Sequence, residues 1–125
     1  TNTGDGKFSL VFLDEIFTGT NPDEGKAGTF GVAKRIGSFT NNICLLTTHF
    51  VDVAEELCKD ASTFAGHKVE VKEVNGSIVP DYKLRPGISK QRMALKMLAG
   101  KGFDSAILAD AHAFMERARP VEAAP

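Results

Sequence analysis

Two adjacent carboxylates end a strongly apolar stretch near the start of the chain. Residues 10–13 (LVFL) run directly into Asp14 and Glu15, and the turn-rich segment FTGTNPDEG follows soon after. In open α/β sheets, ligands bind beyond the carboxyl ends of parallel strands. One acid at such a position could hold Mg²⁺ while the other orients or deprotonates a water, as a nucleoside triphosphatase requires. The pattern is that of a Walker B strand, although acidic turn residues after an apolar strand also occur for purely structural reasons.

A histidine follows the second apolar stretch. Residues 43–48 (ICLLTT) precede His49. The ends of neighbouring parallel strands meet at one edge of a sheet, where an imidazole could hydrogen-bond a terminal phosphate. A lone histidine is usually structural, but this position opposite Asp14 and Glu15 favours a functional role.

The elements that would position these groups alternate between strand and helix. Residues 9–14 have the continuous apolar character of a strand buried on both faces. Asn21 and Pro22 form a strong helix start, and the helix should extend to about residue 38. Gly28 and Gly31 within it suggest close packing against a neighbour. A strand over 43–48 and a short amphipathic helix over 50–57 complete a β-α-β-α pattern, which predicts a parallel sheet with right-handed crossovers.

The pattern changes in the second half of the chain. Residues 68–74 alternate apolar and charged side chains, Asn75-Gly76 follows, and residues 77–84 continue, which predicts a β-hairpin. Two helices are expected over 89–99 and 104–118. The Gly-Lys-Gly turn between them gives a helix-turn-helix outline.

Composition narrows the class of protein. The 125 residues are 42% hydrophobic and 25% charged, which suits one soluble globular domain or part of a larger one. The net charge of -1 gives no overall positive charge that would attract nucleic acid. DNA contact would therefore need a local basic patch or another part of a larger protein. Cys44 and Cys58 lack metal-ligand spacing and are expected as reduced thiols in the cytoplasm. No apolar run approaches the roughly 20 residues that a membrane span needs.

Together these motifs resemble the ATPase domain of the MutS family of DNA mismatch-repair and MutS-related proteins. The resemblance rests on SLVFLDEIFTGTNPDEG followed by LLTTHF, and it continues through KLRPGISKQRMALKMLAGKGFDSAILADA. It implies an α/β, ABC-type P-loop ATPase fold with parallel strands, a β-hairpin and a C-terminal helix-turn-helix. Its implied ligands are ATP and Mg²⁺.

The resemblance also implies individual roles. Asp14 would bind Mg²⁺, and Glu15 would be the catalytic base. His49 would sense the γ-phosphate, with Thr48 beside it at the nucleotide.

Further implied roles concern the partner subunit and DNA. Gly19, Thr20 and Asn21 would form a D-loop that reaches across a homodimer interface. The helix-turn-helix would serve dimerisation, while DNA would be bound through the parent protein. The D-loop FTGTNPDEG differs from the Gly-Arg-Gly-Thr-Ser-Thr type of mismatch-recognising members, and it looks closer to MutS-related proteins without a mismatch-reading domain.

The phosphate-binding loop is missing from this sequence. Phe8 stands where G-x-x-x-x-G-K-S/T requires Ser or Thr, and no glycine has the required spacing before Gly6. We therefore expect a C-terminal half of an ATPase domain that hydrolyses little or no ATP alone and exposes an apolar strand edge. Its expected parts are the ATPase segment over 1–88, the helix-turn-helix over 89–119 and a tail over 120–125.

Two other interpretations stay open at the level of sequence. The chain could belong to another ABC-type ATPase, such as a transporter subunit or a chromosome-structure protein. It could also be a non-catalytic dimerisation module in which the two acids only cap helices.

Overall fold

The computed structural model describes residues 6–90 and 93–118, and the expected tail over 120–125 lies outside them. The mixed α/β class predicted from the sequence is confirmed. The elements are β1 (Ser9–Asp14), α1 (Pro22–Gly37), β2 (Asn42–Thr47), α2 (Val51–Cys58), β3 (His67–Val74), β4 (Ser77–Pro86), α3 (Ala94–Gly100) and α4 (Ser105–Ala118).

The described residues fall into two compact units. The first contains 6–68 and 84–89, and therefore holds β1, α1, β2, α2 and the base of the hairpin. The second contains 69–83, 90 and 93–118, and therefore holds most of the hairpin together with α3 and α4. Asp14, Glu15 and His49 all belong to the first unit.

In the first unit, β1 and β2 form a two-stranded parallel sheet, as predicted. The register pairs Ser9 with Asn42 at one end and Asp14 with Thr47 at the other. Within the described ranges, no third strand joins this sheet, so both outer strand edges are unpaired there.

The expectation that β1 is buried on both faces is wrong for this chain. Exposure alternates along both strands because the helices pack on one side of the sheet only. Leu10 and Phe12 of β1 are 57% and 67% exposed, and their partners Ile43 and Leu45 are each 54% exposed. We call these four side chains the apolar sheet face.

The opposite side of the sheet carries the hydrophobic core of this unit. Its buried members are Ala33 of α1 with Val53 and Leu57 of α2, each 5% exposed. Partly buried apolar side chains surround them: Phe30, Leu46, Phe50 and Phe64. The spacing of Val53 and Leu57, four positions apart, places both on one helix face as the sequence predicted.

Helix α1 begins as its sequence predicted. The Asn21 side chain accepts hydrogen bonds from the backbone N–H groups of Asp23 and Glu24, at 2.9 and 3.4 Å. These bonds satisfy two N–H groups that have no partner inside the helix. The helix ends at Gly37, with Ser38 as its C-cap.

A salt bridge joins α1 to α2. The Nζ atom of Lys26 lies 2.8 Å from a carboxylate oxygen of Asp52. The hydrogen bond from Lys26 lowers the pKa of the Asp52 carboxyl below its ordinary value of 3.8. The same bond raises the pKa of Lys26 above 10.5.

Replacing Asp52 with asparagine should lower the melting temperature slightly at pH 7, by roughly 2 °C, because both groups are substantially solvated. A carboxyl whose pKa is depressed on folding stabilises the native state above its unfolded pKa. This stabilisation is lost as the pH falls from 3.8 through the lower native value, so the difference between wild type and Asp52→Asn should vanish there. Thermal unfolding monitored by circular dichroism between pH 7 and pH 2 measures this difference in melting temperature. A difference that persists at the acid end would contradict an ionic origin.

The second unit consists of most of the hairpin and the two C-terminal helices. Asn75 and Gly76 have φ of 51° and 75°, as a two-residue type I′ turn requires. Helix α3 begins at Ala94, later than the expected residue 89, and Ser89 and Lys90 are not helical. The Asp104 side chain accepts a hydrogen bond from the Ala106 N–H at 2.8 Å, where α4 starts.

Several large apolar side chains of α3, α4 and their connection are about half exposed or more: Met97, Phe103, Ile107 and Phe114. None of the helices in residues 6–90 and 93–118 is long and apolar enough to cross a membrane.

Candidate functional site

The end of the parallel sheet brings Asp14 together with Thr47. The two residues are cross-strand partners in the parallel register. The Thr47 hydroxyl donates to Oδ1 of Asp14 at 2.5 Å. Both residues are exposed. No partner for the other carboxylate oxygen, Oδ2, is found in the part of the chain that the structure describes.

The backbone of Glu15 is held by the same threonine. Its N–H donates to the Thr47 carbonyl oxygen at 3.0 Å and lies 3.1 Å from the Thr47 Oγ1 atom. Glu15 has a φ of 47°, in the left-handed region that non-glycine residues seldom adopt. Such conformations concentrate at functional sites and persist where the surroundings fix them. Here, the two interactions with Thr47 hold the N–H of the strained residue.

The side chain of Glu15 meets His49, which lies just beyond β2. Oε1 of Glu15 is 2.6 Å from Nε2 of His49. The imidazole is 81% exposed and the carboxylate 46% exposed, so both reach solvent. The predicted proximity of the acid pair and the histidine is therefore confirmed, and incoming groups can reach both.

The loop that follows Glu15 is packed onto α1. Thr29 is fully buried, and its hydroxyl donates to the Gly25 carbonyl at 2.8 Å and lies 3.4 Å from the Ile16 carbonyl. A Cβ atom at Gly25 would lie 2.7 Å from the Phe17 carbonyl oxygen, and one at Gly28 would lie 3.2 Å from the Phe17 ring. The absence of side chains at Gly25 and Gly28 thus leaves room for the loop that follows Glu15.

Of the two glycines expected to mark close packing, only Gly28 does so. Nothing lies within 4 Å of a Cβ atom at Gly31. Gly25, which the sequence did not single out, makes the closest backbone approach. Periodicity alone cannot show which helical glycine faces a loop rather than solvent.

The predicted D-loop residues lie between Phe17 and α1. No atom lies within 4 Å of the position that a Cβ atom would take at Gly19, and the Thr20 methyl group lies near Gly25. Asn21 is occupied as the N-cap of α1. None of the three is joined to Asp14 or Glu15 by a hydrogen bond among the described residues.

The Thr48 side chain contacts the backbone of its own turn. Its Oγ1 accepts a hydrogen bond from the Phe50 N–H at 3.0 Å, which shapes the turn into α2. The neighbouring Thr47 makes the contacts with the acid pair. Sequence reasoning missed Thr47, and only the parallel register, which aligns it with Asp14, could have identified it.

The residues present fit a partial magnesium site. No group of three or more His, Cys, Asp or Glu side chains that could hold a metal ion occurs in the described ranges. Mg²⁺ is commonly bound by one or two carboxylates, with waters and substrate phosphates as further ligands. Asp14 is exposed, its Oδ1 accepts a hydrogen bond from Thr47, and its Oδ2 has no partner among the described residues, which matches that arrangement.

Comparison with known proteins matches the chain to one family over nearly its whole length. The family described as MutS domain V, a P-loop ATPase-type domain, matches residues 3–119. The chain is 30% identical over 112 residues to the DNA mismatch repair protein MutS of Anaplasma phagocytophilum (strain HZ). It is 28% identical over 110 residues to Endonuclease MutS2 of Pediococcus pentosaceus. Both alignments cover 87% of this chain and 13% of the relative, so the chain spans about an eighth of these proteins. The match favours MutS over the other ABC-type ATPases that the motifs left open, and the chain belongs to the MutS family.

Proposed function

We propose that this chain supplies the metal-binding and water-activating part of an ATP-hydrolysing site in a MutS-family DNA repair protein. The observation that carries this proposal is the meeting of Asp14, Glu15 and His49 at one end of a parallel strand pair. The Oε1–Nε2 distance of 2.6 Å shows that the groups at the two strand ends are within hydrogen-bonding reach.

Each side chain has a role that suits its contacts. Asp14 would provide a carboxylate oxygen to Mg²⁺, and the ion would neutralise charge on the phosphate oxygens of ATP. Glu15 orients the attacking water and accepts its proton, which general bases do within hydrogen-bonding distance. His49 is exposed enough to donate a hydrogen bond to the γ-phosphate, and it would exchange its contact with Glu15 for one with the substrate.

In this proposal, the phosphate-binding loop of the site comes from sequence outside these 125 residues. The chain contains no G-x-x-x-x-G-K-S/T motif. The apolar sheet face and the unpaired strand edges provide surfaces for the rest of such a domain. Alone, this chain should therefore show little or no hydrolysis.

Dimerisation and DNA binding belong to the parent protein in this proposal. Gly19, Thr20 and Asn21 would approach a partner subunit, and the half-exposed apolar side chains of α3 and α4 would support a homodimer. A role of the parent protein in DNA repair is inferred from its similarity to the DNA mismatch repair protein MutS of Anaplasma phagocytophilum. The chain is about equally similar to the mismatch repair protein and to the endonuclease, at 30% and 28% identity.

The decisive experiment is a titration of a fluorescent ATP analogue with Mg²⁺. It compares the longer protein that carries this segment, its Asp14→Asn variant and the 125-residue chain alone. We expect binding by the longer protein, weaker Mg²⁺-dependent binding by the variant, and none by the chain alone. Tight binding by the chain alone, or no effect of Asp14→Asn, would contradict the proposed division of the site.

A further inference from the structure

Thr47 contacts both acids of the candidate site. Its hydroxyl donates to Oδ1 of Asp14 at 2.5 Å, and its oxygen atoms lie 3.1 and 3.0 Å from the Glu15 nitrogen. Among the described residues, no other side chain forms hydrogen bonds to both the Asp14 carboxylate and the Glu15 backbone.

Burial does not account for these contacts. Thr47 is exposed on the same side of the sheet as the apolar sheet face, so its hydroxyl could be satisfied by water. The carboxylate and the threonine are cross-strand neighbours in register, which is a geometry that favours direct side-chain pairing. The hydroxyl thus restricts a side chain that would otherwise rotate in solvent.

We infer that Thr47 is a positioning residue for the hydrolysis proposed above, and this inference rests on that proposed function. Its hydroxyl occupies Oδ1 of Asp14, which leaves Oδ2 as the oxygen for a cation or its bound water. Its two oxygens also hold the N–H of Glu15 in the left-handed conformation, from which the carboxylate reaches His49. One threonine therefore sets the orientation of the metal ligand and of the base.

The test compares Thr47→Val and Thr47→Ser in the longer protein. Valine keeps the branched shape that a strand accommodates and has a methyl group in place of the hydroxyl, whereas serine keeps the hydroxyl. Outer-shell partners of metal ligands typically contribute 10- to 100-fold to affinity or activity. We expect Thr47→Val to lower kcat and to weaken Mn²⁺ binding in the presence of ATP, each about 10-fold. KM for ATP and the melting temperature should be nearly unchanged, and Thr47→Ser should restore both affected quantities.

Mn²⁺ binding is followed by electron paramagnetic resonance, which does not depend on turnover, and Asp14→Asn serves as the reference. If Asp14→Asn loses Mn²⁺ while Thr47→Val binds and turns over like wild type, the positioning role is overturned and the proposed function stands. If Thr47→Ser lowers kcat and Mn²⁺ binding as much as Thr47→Val does, or if both variants lower the melting temperature, the threonine is structural and the inference fails. If Asp14→Asn binds Mn²⁺ like wild type, the proposed function fails and the inference fails with it.

Discussion

Replacing Glu15 with glutamine is expected to reduce ATP hydrolysis by the longer protein at least about 100-fold, which is the lower end of the contribution of a general base. Glutamine has nearly the same shape but accepts no proton from the attacking water. Binding of ATP with Mg²⁺ should persist because Asp14 is unchanged. The melting temperature should not fall, since the lost contact with His49 is between solvated groups.

Glu56→Gln is the matched control for this variant. It makes the same chemical change on the exposed side of α2, where the carboxylate accepts a 2.6 Å hydrogen bond from Lys59. Steady-state hydrolysis and ATP binding should both match wild type. Equal losses in Glu15→Gln and Glu56→Gln would point to a general effect of charge removal. Full activity in Glu15→Gln would exclude this residue as the base.

Replacing Gly25 with alanine is expected to lower the free energy of unfolding by about 1–3 kcal/mol, as overpacking does in tightly packed regions. The added Cβ atom would lie 2.7 Å from the Phe17 carbonyl oxygen. That oxygen belongs to the backbone, so the loop after β1 must shift to accommodate the methyl group. Because this loop begins at Glu15, hydrolysis should fall together with stability. Chemical denaturation followed by circular dichroism measures the first effect.

Gly31→Ala provides a control of opposite sign on the same helix. Nothing lies within 4 Å of its added methyl group. Alanine is favoured over glycine in a helix interior, so stability should rise by about 0.5–1 kcal/mol with unchanged hydrolysis. If both alanine variants raise the free energy of unfolding, helix propensity rather than contact with Phe17 governs the glycines of α1.

The elements set by local chemistry were predictable from the sequence. The bounds of β1 follow its apolar run, α1 begins where Asn21 can cap it, and the hairpin turns at Asn75-Gly76. Each feature depends on neighbours in the chain, because capping and turn conformation are decided within a few residues. The meeting of Asp14 with the second strand end also followed, because parallel strands align their carboxyl ends.

Features that depend on contacts through space were not predictable. The apolar run of β1 suggests burial on both faces, but exposure depends on what covers the strand. The same limit applies to Gly25 and Gly31, whose different surroundings arise from where the loop at Phe17 lies. Thr47 and Thr48 are adjacent and chemically identical, so only the register between the strands distinguishes them.

The apolar sheet face lies on the same side of the sheet as the side chains of Asp14 and Thr47. Every second residue of β1 lies on this side of the sheet, namely Leu10, Phe12 and Asp14. Their cross-strand partners in β2 lie on the same side and are Ile43, Leu45 and Thr47. Any segment that covers the four apolar side chains would also displace water from beside the Asp14 carboxylate. A lower local dielectric would then strengthen its hydrogen bond and its attraction for a cation. Completion of the hydrophobic packing and cation binding at the proposed metal site would therefore be thermodynamically linked.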